Sequence, residues 1–180
     1  MKRFWFYCFY TYFIFFNKLH RGFNKINPAL LLFNTRWAKK KFESRGIIDP
    51  HKEFDKTYED PINGISIRWA EGLLCGLLFL ILFNAYLTVN SLFLVYTKDL
   101  GTIVIIFCGA LSLVFNSIIV FRNNIYLDHF RDFQKIERKR RKVYSVLVLV
   151  ITLTTLVYFF MIFNFLTLLN PTITQTQFVP

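Results

Sequence analysis

No Asp, Glu, Lys or Arg occurs from Gly72 to Thr97, from Leu100 to Phe121, or from Val143 to Pro180. An α-helix needs about 20 apolar residues to cross a hydrocarbon core of roughly 30 Å. The first two stretches, 26 and 22 residues long, each supply one crossing. The third, 38 residues, supplies another over 143–169, before Pro171 and the polar run from Thr172 to Gln177 end it. A soluble fold could hide such runs only inside a polar shell. A chain of 180 residues that is 54% hydrophobic and 19% aromatic cannot build that shell. The same composition excludes disorder for most of the chain. The expected fold is an all-α integral membrane protein with three transmembrane helices, 72–97, 100–121 and 143–169.

Lys98 and Asp99 alone separate the first two spans, which predicts a tight hairpin turning at Asp99 and Gly101. The first span, about 39 Å as a straight helix, exceeds the core. It must tilt, or its end from Phe93 to Thr97 must stand above the bilayer.

The net charge is +11, and its distribution sets an orientation. Thirteen basic residues precede the first span, eight lie in 122–142, and one, Lys98, lies at the hairpin tip. Basic loops stay on the cytoplasmic side. The N-terminal region and the 122–142 loop are therefore expected on the cytoplasmic or matrix face. The hairpin tip and the polar tail 170–180 are expected on the other. The Phe-, Asn-, Ile- and Lys-rich vocabulary suggests an AT-rich genome, which fits several bacterial groups and protist mitochondria equally, so a bacterial or mitochondrial inner membrane is expected.

Residues Phe4 to Phe16 read FWFYCFYTYFIFF, ten of 13 aromatic. Thirteen residues make about 20 Å of helix, short for a crossing. Basic residues flank the block on both sides, and Trp and Tyr favour the headgroup level. Residues 1–21 are therefore read as an interfacial helix, with a short fourth span as the alternative. In the basic region 22–71, Asn27 and Pro28 open a helix expected to run to Gly46. It carries Leu30, Phe33 and Trp37 on one stripe, and Lys39, Lys40 and Lys41 toward anionic lipid headgroups. Residues 47–67, rich in acids and turn signals, read as a solvated loop. Alternation of Asp49, His51, Glu53 and Asp55 is a weak metal pattern, lacking a second His or a rigid frame.

Within 122–142, Tyr126, Phe130, Phe133 and Ile136 form one helical stripe, and Asp128–Arg131 and Asp132–Lys135 are i,i+3 pairs. The second span is expected to continue into this amphipathic helix. Arg138, Lys139, Arg140, Arg141 and Lys142 then sit before the third span, where topogenic charge and headgroup attraction explain them. Nothing in this cluster resembles a nucleic-acid recognition fold.

The spans carry no ionisable residue at depth, and all three histidines lie outside them. Catalysis at depth cannot be assembled, so the chain is read as non-enzymatic, without cofactor or metal. The polar residues that remain are neutral. Asn84, Asn116 and Asn164 lie at different depths and suit hydrogen bonds between helices. Gly72 and Gly76 form a GxxxG pair, and Gly109 and Ser112 lie in a small-residue patch, both permitting close helix packing. Cys8, Cys75 and Cys108 all lie in apolar segments with no ligand spacing, and Cys8 is a palmitoylation candidate in a eukaryotic setting. The expected function is a non-catalytic membrane subunit that packs with other membrane proteins and anionic lipids. The alternative is a small holin-like oligomer, for which Asn84, Thr88 and Ser91 supply a polar stripe.

Overall fold

The computed structural model describes residues 2–93 and 98–169. All regular structure among them is helical. In chain order the α-helices are α1 (Lys2–Asn24), α2 (Arg36–Glu43), α3 (Pro50–Glu59), α4 (Ile65–Phe93), α5 (Lys98–Asn116), α6 (Tyr126–Lys135) and α7 (Arg138–Leu169). Three stretches are long and apolar enough to cross a membrane: Ile65–Leu92, Gly101–Asn124 and Arg138–Leu168. The chain divides into two compact units. One comprises residues 1–74 and 123–136, and the other 75–122 and 137–180.

The first unit is organised by aromatic packing. On α1, Phe6, Phe9, Tyr10 and Phe13 recur at helical spacing and are buried. On α6, Tyr126, Phe130 and Phe133 do the same. The two ridges interlock. Tyr7 meets Phe133 edge-on at 4.5 Å, Phe9 meets Tyr126 edge-on at 5.3 Å, and Phe13 stacks on Phe130 at 5.5 Å. His129 stacks on Phe6 at 4.1 Å. Each such pair adds about 0.5–1.5 kcal/mol beyond area burial. The rings of Tyr7, Tyr10 and Tyr12, expected at headgroup depth, are thus buried within the unit. α1 is also longer than the block that suggested it, because no helix breaker interrupts its aliphatic and aromatic positions before Gly22, and it continues to Asn24.

Three expectations for the N-terminal region are corrected. The helix expected from Asn27 to Gly46 is two pieces: a 3₁₀ segment, Pro28–Asn34, and α2. The break is local, because the Thr35 hydroxyl accepts from the Ala38 N–H at 3.3 Å and starts a new helix there. Its consequence is that Leu30 and Ala38 are buried while Trp37 is 72% exposed, so no single stripe joins Leu30, Phe33 and Trp37. Residues 50–59, expected as loop, are α3. Asp49 caps it through Oδ1, which accepts from Lys52 N–H at 3.1 Å, and Pro50 fills the first helical position. Asp49, His51, Glu53 and Asp55 therefore fan around a helix instead of lining one side of an extended segment.

The segments around the spans also differ from expectation. α4 starts at Ile65, because Arg68 and Glu71 are good helix formers at an end where charge is tolerated. Asp99 and Gly101, expected in a turn, lie within α5. Residues 94–97, the end of the first expected span, lie outside the described residues, as does the tail 170–180. α5 does not run on into α6. A π-helical turn at Ser117–Phe121 is followed by Asn123 (φ 56°) and Asn124 (φ 55°), both left-handed. Asn adopts that region more readily than most residues, and two in succession end the helix. Arg138–Lys142, expected in a loop, form the first turns of α7, anchored by Arg141 N–H donating to Glu137 O at 3.0 Å.

Candidate functional site

The first unit holds a cavity of about 680 Å³. α1 supplies Phe16, Leu19 and Phe23, α3 supplies Phe54 and Tyr58, and the start of α4 supplies Trp69. His20 and Asn24 line the same space. His20 is 8% exposed, and its ring lies flat on Tyr58 with centroids 3.9 Å apart. Its Nε2 lies 3.1 Å from Asp55 Oδ1, and Asn24 Nδ2 donates to the same oxygen at 2.7 Å. One carboxylate oxygen of α3 thus collects two donors from successive turns of α1. A turn further along, Arg21 donates to Glu59 through two parallel bonds, Nε to Oε1 at 2.5 Å and Nη2 to Oε2 at 2.6 Å. The bidentate bonds of Arg21 hold the Glu59 carboxyl below its usual value, and Glu59 in turn pushes the guanidinium up. None of these four contacts was anticipated from sequence. Their only local signal is the matched spacing of His20–Asn24 with Asp55–Glu59, each four residues apart.

The second unit carries a groove of about 450 Å³ between α4 and α7. Asn84 Nδ2 crosses it to donate to Thr155 O at 3.0 Å. Thr88 Oγ1 and the Tyr158 hydroxyl lie 2.8 Å apart, and the Phe83 and Phe159 rings lie 6.1 Å apart. Asn84 is 5% exposed, and its Oδ1 has no hydrogen-bond partner among the described residues. Asn90 Nδ2, two turns on, is likewise buried and without a partner. The hydroxyls of Thr88 and Ser91 also donate back to Asn84 O and Thr88 O of their own helix, each at 2.7 Å.

Of the residues expected at helix contacts, Asn84 bridges α4 and α7, and Ser112 bridges α5 and α4, donating to Cys75 O at 2.7 Å. Asn116 and Asn164 donate to carbonyls of their own helices, Ser112 O and Phe160 O. A Cβ added at Gly72, Gly76 or Gly109 would meet nothing within 4 Å. Among the described residues, no neighbouring helix therefore comes within contact of these glycines. The headgroup candidates Lys39, Lys40, Lys41, Arg138, Lys139, Arg140 and Lys142 are exposed, and Arg141 is half-buried. Lys41 Nζ lies 4.8 Å over the Trp37 ring. The two acid–base pairs expected on α6 form, Arg131 to Asp128 at 3.4 Å and Lys135 to Asp132 at 3.2 Å. Cys8 is fully buried, and burial pushes its thiol up to about 12, which disfavours acylation there. No cluster of His, Cys, Asp or Glu among the described residues could hold a metal ion.

The class of protein defined by these features is an all-helical chain with three helices long and apolar enough to cross a membrane. No protein-family model, curated protein or solved structure matches it.

Proposed function

We propose that the chain is a non-catalytic integral membrane subunit that packs with other membrane proteins, its basic N-terminal region on the cytoplasmic or matrix side. The observation that carries this reading is the unpaired amide oxygen of Asn84. It is buried in an apolar helix, where water cannot supply the missing donor. An orphan polar group of this kind costs about 1–3 kcal/mol. A hydroxyl or amide from a neighbouring subunit's helix, entering the groove beside Asn84, relieves it. Two further features agree. Only 22% of the apolar stretch of α4, 22% of that of α5 and 11% of that of α7 is buried within the chain. The glycine faces of α4 and α5 are open to a close-packing helix.

The test uses protein extracted in mild detergent from its native membrane. The wild type is expected to migrate as a defined complex with stoichiometric membrane partners. Gly76→Leu and Asn84→Leu should each shift it to a smaller species, while Leu77→Ile should not. A chain that migrates alone, with all three variants alike, overturns the reading. Collapse of membrane potential on expression would favour the holin-like alternative.

A further inference from the structure

The aromatic cavity of the first unit has an unusual mouth. Leu19 is 41% exposed, Phe23 58%, Trp69 62% and Ile26 75%, and all four line the same space. They form one apolar patch around an opening, a surface that soluble proteins keep small unless something covers it. Two of the polar side chains that line the cavity are already engaged with α3. His20 and Asn24 already give their hydrogen bonds to Asp55, and the imidazole presents its stacked ring. Most of the lining is apolar, and the volume lies within the roughly 300–1,000 Å³ of small-molecule sites.

Position selects the occupant. Trp69 lies in the second turn of α4, at the start of the stretch apolar enough to cross a membrane. Trp is favoured where hydrocarbon meets headgroups. Exposed basic residues neighbour the lining in sequence: Lys18 beside Leu19, Lys25 beside Ile26, and Arg68 beside Trp69. An apolar slot at the start of an apolar helix, with exposed cations next in sequence to its lining, suits a lipid with a long tail and an anionic head.

We propose that this cavity takes one acyl chain of an anionic phospholipid from the adjoining leaflet, with the phosphate at Lys25 and Arg68. The tail lies between the rings of Phe23, Phe54 and Trp69. The proposal rests on α4 crossing the membrane and is independent of partner subunits.

Trp69 is the reporter. The chain has three tryptophans, and replacing Trp5 and Trp37 by Phe leaves it alone. The full chain, purified in detergent, is titrated with phosphatidylglycerol brominated along one acyl chain, which quenches indole fluorescence at short range. Quenching should saturate at one lipid per chain. Ile26→Asp, at the exposed mouth, should weaken apparent affinity about tenfold or more, and Asn27→Phe, which fills the space from the loop, should do the same. Lys25→Gln should reduce the preference for phosphatidylglycerol over brominated phosphatidylcholine while leaving quenching by the latter unchanged. Circular dichroism checks that each variant keeps its helices. Quenching that rises linearly with lipid, alike for both headgroups and in every variant, would show only that Trp69 touches bulk lipid, and would overturn the proposal. Tighter saturation by a brominated free fatty acid than by phosphatidylglycerol would overturn the phospholipid assignment. Because no partner protein is present, an absent subunit cannot produce either result.

Discussion

A methyl group at Gly64 has nowhere to go. A Cβ built there would press on backbone atoms of Tyr58 and Asp60, including the Tyr58 carbonyl oxygen at 2.7 Å, and none of these is the end of a flexible side chain. The glycine closes the turn between α3 and α4 by donating its N–H to Asp60 O at 3.0 Å, while Asp60 Oδ1 accepts from Ile62 N–H at 2.8 Å. The Tyr126 hydroxyl donates to Pro61 O at 3.0 Å and ties the same turn to α6. Gly64→Ala is expected to cost about 1–3 kcal/mol, as overpacking does. It should appear as faster proteolysis within 60–64, with the far-ultraviolet helical signal retained. Unchanged cleavage would show that the turn can yield. This site was legible in the sequence as the dipeptide Asn63–Gly64. The Asp55 cluster was not, because its partners lie 35 and 31 residues away and only the docking of two helices brings them together.

Pairing was the least legible thing about the elements. The α6 ridge was readable as a stripe, whereas α1 was readable only as an aromatic block and was assigned to the bilayer surface. An aromatic stripe has the same period whether it meets lipid or protein, so composition cannot choose between them. The structure pairs them across more than a hundred residues of sequence, which makes Phe130 the hinge of the reading: it touches Phe9, Tyr10, Phe13 and Tyr126. Phe130→Ala is expected to destabilise the first unit by about 3–5 kcal/mol. Hydrogen exchange should then accelerate in α1 and α6, and an effect confined to α6 would mean the helices do not hold each other. The joint between α1 and α3 carries a pH signature. The Glu59 carboxyl titrates lower when folded than its ordinary 4.5. Its stabilising contribution is therefore complete above that value and is lost as pH falls through the lower, folded one. Exchange at α3 should rise as pH drops below the usual carboxylate range, after correction for intrinsic rates. Arg21→Gln should remove most of that dependence. Both partners are partly exposed, so the effect should shrink at high salt.

At the scale of the molecule, the three charge-free stretches were readable because hydrocarbon thickness imposes a length that few other constraints imitate. Their ends were less so. Charge marks where a membrane segment stops being apolar, whereas a helix stops where its backbone does, at Asn123 and Asn124 or at the capped start of a new helix. The packing of α1 with α6 also bears on topology. Two of the apolar helices, α4 and α5, lie in sequence between the N-terminal elements and α6. If α4 and α5 both cross, the two crossings return the chain to the face it left, which agrees with the packing of the two partners of the aromatic ridge. An extra crossing by α4 or α5 alone would separate them. Under the proposed function, the basic bias of 21 residues to one is expected to hold that shared face on the cytoplasmic or matrix side. Under the same proposal, one more crossing, by α7, puts the C-terminus on the opposite side. A reporter that is active only in the cytoplasm, fused after Pro180, should be silent, while the same reporter inserted after Asn63 should be active. The paired insertion matters, because a silent C-terminal fusion alone could reflect degradation. Activity at the C-terminus together with activity at the 63 site would require one of the three apolar helices to stay out of the bilayer. Silence at 63 with activity at the C-terminus would invert the whole orientation and set the charge bias aside.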